Sequence, residues 1–399
     1  MTLASISRRI FWSINHLFFT TWFTHSWGLK TDPSSPKLPD GAFIMVANHA
    51  SFFDPWLVAS TSKRLVSIMM NDDGFKAGAM TRAYLVIMRN IRKRKGASDM
   101  KSVRTTLKRL AEGTPVLIFP EGQVCWDGET QPMYPGIEKI LRKAKVPLVI
   151  VTLRGNFLSK PWWAETRRKG TITRSHRVIT TDQLATMTDD NIISTIRNSL
   201  YTNEIKESIT PFTGHDLCEG LTKLVWRCPT CGSEDGLSTA GNDLYCRCGS
   251  RWKSDANLHF TPVSPQAEIF GDLHDLVALH KTFVKNKIEK ASESDVLAAG
   301  PATHVETAFD GSYTHRREGR LTLTKTSLIF EGQYPEASFT IACKQIADAL
   351  FQKKEVLEVR SHNDSYQFLI EGHSLMKWVY FLRYMGRFAE SEAAGWYVG

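Results

Sequence analysis

His49 and Asp54 stand five residues apart in Val46-Ala47-Asn48-His49-Ala50-Ser51-Phe52-Phe53-Asp54. This His-x4-Asp spacing lets one helical turn bring a carboxylate back onto an imidazole. A carboxylate on one ring nitrogen fixes the tautomer and leaves the other nitrogen free as a general base. None of the other 11 histidines has an aspartate at that spacing. A second group ends the apolar run Val116-Leu117-Ile118-Phe119 with Pro120-Glu121-Gly122. The glycine permits close backbone approach to a ligand, and the acid is poised at a strand terminus. A third group lies between Arg89 and Arg109, where nine Lys and Arg residues, Arg94 among them, face only Asp99. Phosphate recognition needs such charge. Ser51 and Cys125 are nucleophile types nearby, and we read them as capping and packing residues.

Four cysteines suggest a different chemistry. Cys228-Pro-Thr-Cys231-Gly is followed after 14 residues by Cys246-Arg-Cys248-Gly. The first pair has the spacing and trailing glycine of a zinc knuckle; the second is CxC where CxxC is usual. Four thiolates make the tetrahedral set of a structural zinc site and leave no open position for catalysis. Iron also accepts all-sulfur sites, and Cys218 and His215 are alternative ligands nearby.

These groups need elements to position them. Apolar runs at Ala42–Ala47, Leu65–Met70, Val116–Phe119 and Pro147–Leu153 alternate with helical patterns, notably Ser98–Ala111. That alternation predicts an α/β sheet domain over residues 31–214. His49 then falls where a strand ends, which is where α/β active sites collect. Before it, Ile10 to Leu29 carries no Lys, Arg, Asp or Glu, but polar residues dilute it below a spanning helix. Phe11, Ile14, Phe18, Trp22 and His25 share one helical face behind Arg8 and Arg9. Residues 1–30 are therefore expected to form an amphipathic helix at a membrane interface. Residues 215–262 form the zinc-ribbon-like segment. In residues 263–399 we expect a helix at Asp272–Ala291, a linker at 292–302, six short strands, and a closing helix at about Ser374–Ala389. The strands are His304–Phe309, Gly319–Thr324, Leu328–Phe330, Ser338–Ile341, Val356–Arg360 and Tyr366–Ile370. A run of short strands capped by one helix resembles a pleckstrin-homology or GRAM-like barrel, a likeness of fold only.

The first three groups together resemble the glycerolipid acyltransferases, whose type member is 1-acylglycerol-3-phosphate acyltransferase. Asn48, His49 and Asp54 match the family's NHxxxxD block, and Phe119, Pro120, Glu121 and Gly122 match FPEG. Val146, Pro147 and Leu148 match its Val-Pro strand, with Ile150 where a second proline is usual. Of the GxxFIxR block only Arg94 is matched, and Gln123 and Val124 stand where the family often has Thr-Arg. The resemblance covers about residues 40–200. It implies that His49 is the base that deprotonates an acceptor hydroxyl and that Asp54 orients it. The hydroxyl then attacks the thioester of acyl-CoA or acyl-carrier protein. It further implies that Asn48 buttresses the turn, and that Arg94, Glu121 and Gly122 position a lysophospholipid headgroup. The alternative is a non-catalytic zinc-ribbon adaptor, binding lipid or protein, with a vestigial acyltransferase domain.

The chain has 399 residues, 42% of them hydrophobic and 23% charged, which excludes a disordered protein and suggests two or three domains. Seven cysteines are too sparse for a secreted disulfide scaffold and fit a reduced compartment. The formal charge of +9 is unevenly placed. Residues 1–214 hold 30 basic and 17 acidic residues, 215–262 hold 5 and 6, and 263–399 hold 15 and 18. The excess lies on the acyltransferase-like part, which suits an anionic membrane and phosphorylated acceptors at the cytosolic face. The mildly acidic ribbon and the lack of a base-stacking motif argue against nucleic acid.

Overall fold

All four apolar runs become strands. The computed structural model describes residues 3–71, 74–75, 78–93, 99–208, 210–308, 310–361 and 364–386. It divides into two compact units, residues 1–162 with 169–213, and residues 163–168 with 214–399.

The first unit holds seven strands: β1 (Leu29–Thr31), β2 (Ile44–Ala47), β3 (Ser67–Asn71), β4 (Ile91–Lys93), β5 (Val116–Ile118), β6 (Leu148–Arg154) and β7 (Ile172–Ile179). Their order in the sheet is β1-β7-β6-β2-β5-β3-β4. From β6 to β4 every pairing is parallel, and β7 joins β6 antiparallel. β2 is buried throughout and β6 over its first four residues, so these strands read as unbroken apolar runs. β7 escaped the sequence reading because it carries Arg174 and His176. Arg174 is nonetheless buried, with its guanidinium on Leu57 O, Ser60 Oγ and Thr31 Oγ1.

A helix runs from Leu3 to Trp27. The face drawn from its sequence divides in two. Trp12, Phe23 and Trp27 are buried in the core with Val58, Met45 and Leu153, and Phe11, Phe19 and Trp22 pack partly against them. Ile14 and Phe18 instead point outward, 64% and 60% exposed, alongside Ile10 and Leu17. The helix's Phe and Trp rings other than Phe18 are drawn inward because they bury the most area per side chain. No described helix is long and apolar enough to cross a membrane.

In the second unit, β8 (Leu237–Ala240), β9 (Asp243–Cys246), β10 (Arg251–Ser254) and β11 (Phe260–Pro262) form a small antiparallel sheet. The helix Leu273–Lys290 follows, capped by Asp272. Then come β12 (Ala298–Thr307), β13 (Tyr313–Leu323), β14 (Ser327–Gly332), β15 (Phe339–Ala342), β16 (Ile346–Gln352), β17 (Val356–Ser361) and β18 (Ser365–Leu369). They form one antiparallel sheet in the order β15-β14-β13-β12-β18-β17-β16. The expected linker is shorter than 292–302, because β12 already begins at Ala298. β16 was missed, and β12 and β13 are longer than their apolar cores. The closing helix is Leu375–Met385, and residues 387–389 of the expected helix lie outside the described residues. It is buried nearly all round, so its buried Lys377 must be paired. Asp235 Oδ2 lies 2.7 Å from its ammonium and Glu234 Oε2 3.0 Å.

Candidate active site and metal centre

β6, β2 and β5 are adjacent and parallel, so the loops that follow them open on one edge of the sheet. The loop after β2 carries Asn48 and His49. Asp54 begins the short helix Asp54–Ala59. Its Oδ2 accepts from the backbone of Ala50 (2.6 Å) and Ser51 (2.7 Å) and lies 3.0 Å from His49 Nδ1. The loop's own amides thus hold the carboxylate against the ring. This pairing assigns the Nδ1–H tautomer and leaves Nε2 as the basic nitrogen. Asp54 is fully buried, whereas the His49 side chain is 17% exposed. Phe119 lies along the imidazole, with ring centroids 4.3 Å apart.

Asn48 joins the ends of two strands. Its Nδ2 donates to Leu153 O, its Oδ1 accepts from Leu153 N, both at 2.9 Å, and Nδ2 also reaches Thr202 Oγ1 at 3.5 Å. Glu121, after β5, is buried. Its Oε1 accepts from His49 N (2.7 Å) and its Oε2 from Gln131 N (2.8 Å). Cys125 N donates to His49 O at 2.9 Å. Residues 121–125 therefore hold both backbone groups of His49, and Glu121 acts on its backbone rather than its ring. Gly122 has φ +68°, and a Cβ there would lie 2.7 Å from the Tyr134 ring, so the turn requires glycine. Arg94 lies outside the described residues. Its neighbour Lys93 brings a cation toward the same loop, 5.9 Å from the Tyr134 ring centroid. Burial lowers the pKa of this ammonium. Arg89 and Arg109 pair with Glu112 instead.

Several buried acids crowd this region: Asp54, Glu121, Asp127 and Glu204. Burial pushes Glu121 up to about 8 despite its two amide donors, and Asp54 and Asp127 add to the effect. Burial also pushes Glu204 up to about 8. The Cys125 thiol is raised well above its usual range, first by burial and then by Glu121, Asp127 and Glu204. A thiol so disfavoured as thiolate is a poor nucleophile. Ser51 is buried too, its hydroxyl accepting from Phe53 N at 3.4 Å.

The sequence reading missed Asn156, whose Nδ2 donates to Asp54 Oδ1 at 3.0 Å. It also missed Glu204 and Gln131, since no spacing rule links residues that only strand order brings together. Gln123 was noted as a departure, and its amide is buried with neither polar atom partnered among the described residues.

In the second unit the Sγ atoms of Cys228, Cys231, Cys246 and Cys248 all lie within 4.8 Å of one another. Cys228 and Cys248 are 3.9 Å apart, Cys231 and Cys246 3.8 Å. A tetrahedral zinc–thiolate site with arms of about 2.3 Å has edges of about 3.8 Å. The donor set therefore fits zinc. Gly232 N to Cys228 O (3.0 Å) and Gly249 N to Cys246 O (2.9 Å) close the two knuckles. Cys218 and His215 are not in the group. Burial pushes the Cys218 thiol up to about 12, and His215 pairs with Asp216 at 2.7 Å.

Residues 32–154 match the Acyltransferase family model. The matched segment contains His49, Asp54, Glu121 and Gly122. A 1-acyl-sn-glycerol-3-phosphate acyltransferase of Chlamydomonas reinhardtii is 30% identical over 146 residues, 34% of this chain and 41% of that protein. The chain thus spans about two fifths of that relative's length. The crystal structure of the 1-acyl-sn-glycerophosphate acyltransferase PlsC of Thermotoga maritima aligns with a TM-score of 0.43 and 19% identity, over 50% of this chain and 80% of that one. The solution structure of the N-terminal PH domain of human ARAP2 aligns with a TM-score of 0.20 and 12% identity, over 25% of this chain and 84% of that one.

Proposed function

We propose that the acyltransferase region moves a fatty acyl group from acyl-CoA or acyl-carrier protein to the free hydroxyl of a lysophospholipid of the 1-acylglycerol-3-phosphate type. The observation that carries this reading is the His49–Asp54 pair, with Nδ1 held by a buried carboxylate and Nε2 on a partly exposed ring. Nε2 takes the acceptor's proton as its oxygen attacks the thioester carbonyl. The carbon–sulfur bond breaks, and the imidazolium returns the proton to the departing thiolate. Asp54 stabilises the imidazolium. Asn48 and Glu121 hold the loop that bears the base. Gly122 and the cations Arg94 and Lys93 meet the acceptor headgroup, which accounts for a half-buried ammonium beside that loop. An assembled His–Asp pair gives the non-catalytic adaptor reading no support.

The exposed face of Ile10, Ile14, Leu17 and Phe18, behind Arg8 and Arg9, rests on an anionic membrane at the cytosolic side. Zinc is held by Cys228, Cys231, Cys246 and Cys248 in a structural role. The seven strands and closing helix of residues 298–385 form a pleckstrin-homology-like module.

Expression in cells lacking their own lysophosphatidate acyltransferase, followed by lipid profiling, tests the activity. Restored phosphatidate supports it; purified protein that leaves lysophosphatidate and acyl-CoA unchanged refutes it. Vesicle co-sedimentation tests the membrane face. Ile14→Ser with Phe18→Ser is expected to weaken binding at least tenfold, given about 1.5–3 kcal/mol per buried apolar side chain.

A further inference from the structure

The two oxygens of Asp54 are held differently. Oδ2 has three donors: His49 Nδ1, Ala50 N and Ser51 N. Oδ1 has one among the described residues, Asn156 Nδ2 at 3.0 Å. Asp54 is fully buried, so without that donor Oδ1 would face no hydrogen-bonding group among the described residues, a costly state.

Asn156 is itself fully buried, and its Oδ1 has no partner among the described residues. Among the described residues its side chain therefore makes one hydrogen bond, the one to Asp54. Its turn follows β6 and is fixed from outside. The Glu204 carboxylate accepts from Leu158 N at 3.2 Å. Glu204 is in turn anchored through its own N–H to Gly128 O at 2.9 Å. A line of contacts thus runs from Glu204 through the 155–158 turn and Asn156 to Asp54 and the ring of His49.

We propose that Asn156 is the positioning residue of the His49–Asp54 pair, holding Asp54 Oδ1 so that the carboxylate stays aimed at Nδ1, while Glu204 fixes the turn that presents it. This rests on His49 being the general base. Asn156→Asp keeps the size of the side chain and replaces the donor by a second carboxylate. More negative charge then faces the ring, which holds a proton to higher pH. Asn156→Ala removes the donor alone and acts in the same direction. The other titratable groups around the pair are Glu121, Asp127, Glu204 and the Cys125 thiol, and both variants keep those residues.

The test measures acyl transfer from acyl-CoA to lysophosphatidate across pH 5 to 9, with the full chain on vesicles. Asn156→Asp is expected to lower kcat about 100-fold, leave both KM values within threefold, and move the acid limb upward by about one pH unit. Thr188→Ala removes a helix cap elsewhere and serves as a destabilised control whose acid limb stays put. A second readout needs no turnover. Modification of His49 by diethyl pyrocarbonate is followed against pH, as the difference between each chain and its His49→Ala counterpart. An upward shift in Asn156→Asp supports the proposal even where lysophosphatidate proves the wrong acceptor. An unmoved modification profile in both Asn156 variants overturns it, whatever the turnover.

Discussion

The cysteine cluster closes within residues 228–248, whereas the site around His49 draws on residues 48 to 204. In the first, two tight knuckles set the geometry, and each needs only a few neighbouring residues. In the second, three parallel strand ends must be placed side by side before Glu121 and Asn156 meet their partners. The two sites also differ in what surrounds them. In the proposed zinc site the four thiolates would neutralise a cation, while the acids around His49 have one another and backbone amides for company. A local site gains stability from its ligand; a non-local one draws it from the sheet, and its buried acids resist ionisation.

The largest expected effect separates the two outright. His49→Ala should lower acyl transfer by about 10³-fold or more, the scale of a lost general base, with a thermal midpoint within about 2 °C of the parent. A collapsed midpoint would mean that the ring is a packing residue, and that the first site is structural like the second. Next, removing metal from the second unit by chelation, or by Cys231→Ser, should cost that unit on the order of 5 kcal/mol. Acyl transfer stays within twofold below the unfolding transition, because no step passes through the cysteines. Purified protein with neither zinc nor iron by metal analysis would break this half of the comparison.

A smaller effect concerns pH. Glu121 and Glu204 are raised to about 8 in the folded chain. Between the ordinary carboxylate range and about pH 8 the folded state binds more protons than the unfolded one. Their contribution is fully present at low pH and is lost as pH rises through about 8, by about 1.4 kcal/mol per pH unit for each group. Glu204→Gln keeps the acceptor oxygen for Leu158 N and cannot ionise. Urea unfolding between pH 5 and 8 should show about half the parent's slope, and an equal slope would mean that Glu204 is charged throughout. The smallest effect is at Gln123. Its unpartnered amide predicts that Gln123→Met raises stability by about 1 kcal/mol with an unchanged m-value. A lower urea midpoint would show that the amide has a partner.

The split between local and non-local also explains what was legible. β2, β5 and β6 were plain as apolar runs because parallel strands are buried on both faces. β7 was not, because Arg174 satisfies its charge with oxygens from residues far away in sequence. The aromatic helix was legible as a helix, but not its orientation. Sequence spacing put Phe11 and Phe18 on one face, and packing half-buried the first and exposed the second.

Sequence alone determined whatever a few adjacent residues decide: the His49–Asp54 reach, the glycine turn after Glu121, and the paired cysteines. Each depends on backbone geometry over six residues or fewer, which does not change with the rest of the fold. Only the tertiary structure decided that Glu121 grips the backbone of His49, that Cys125 is too buried to ionise, and that Asn156 completes Asp54. Those outcomes depend on strand order and on burial, and both are properties of the assembled sheet rather than of any segment in it.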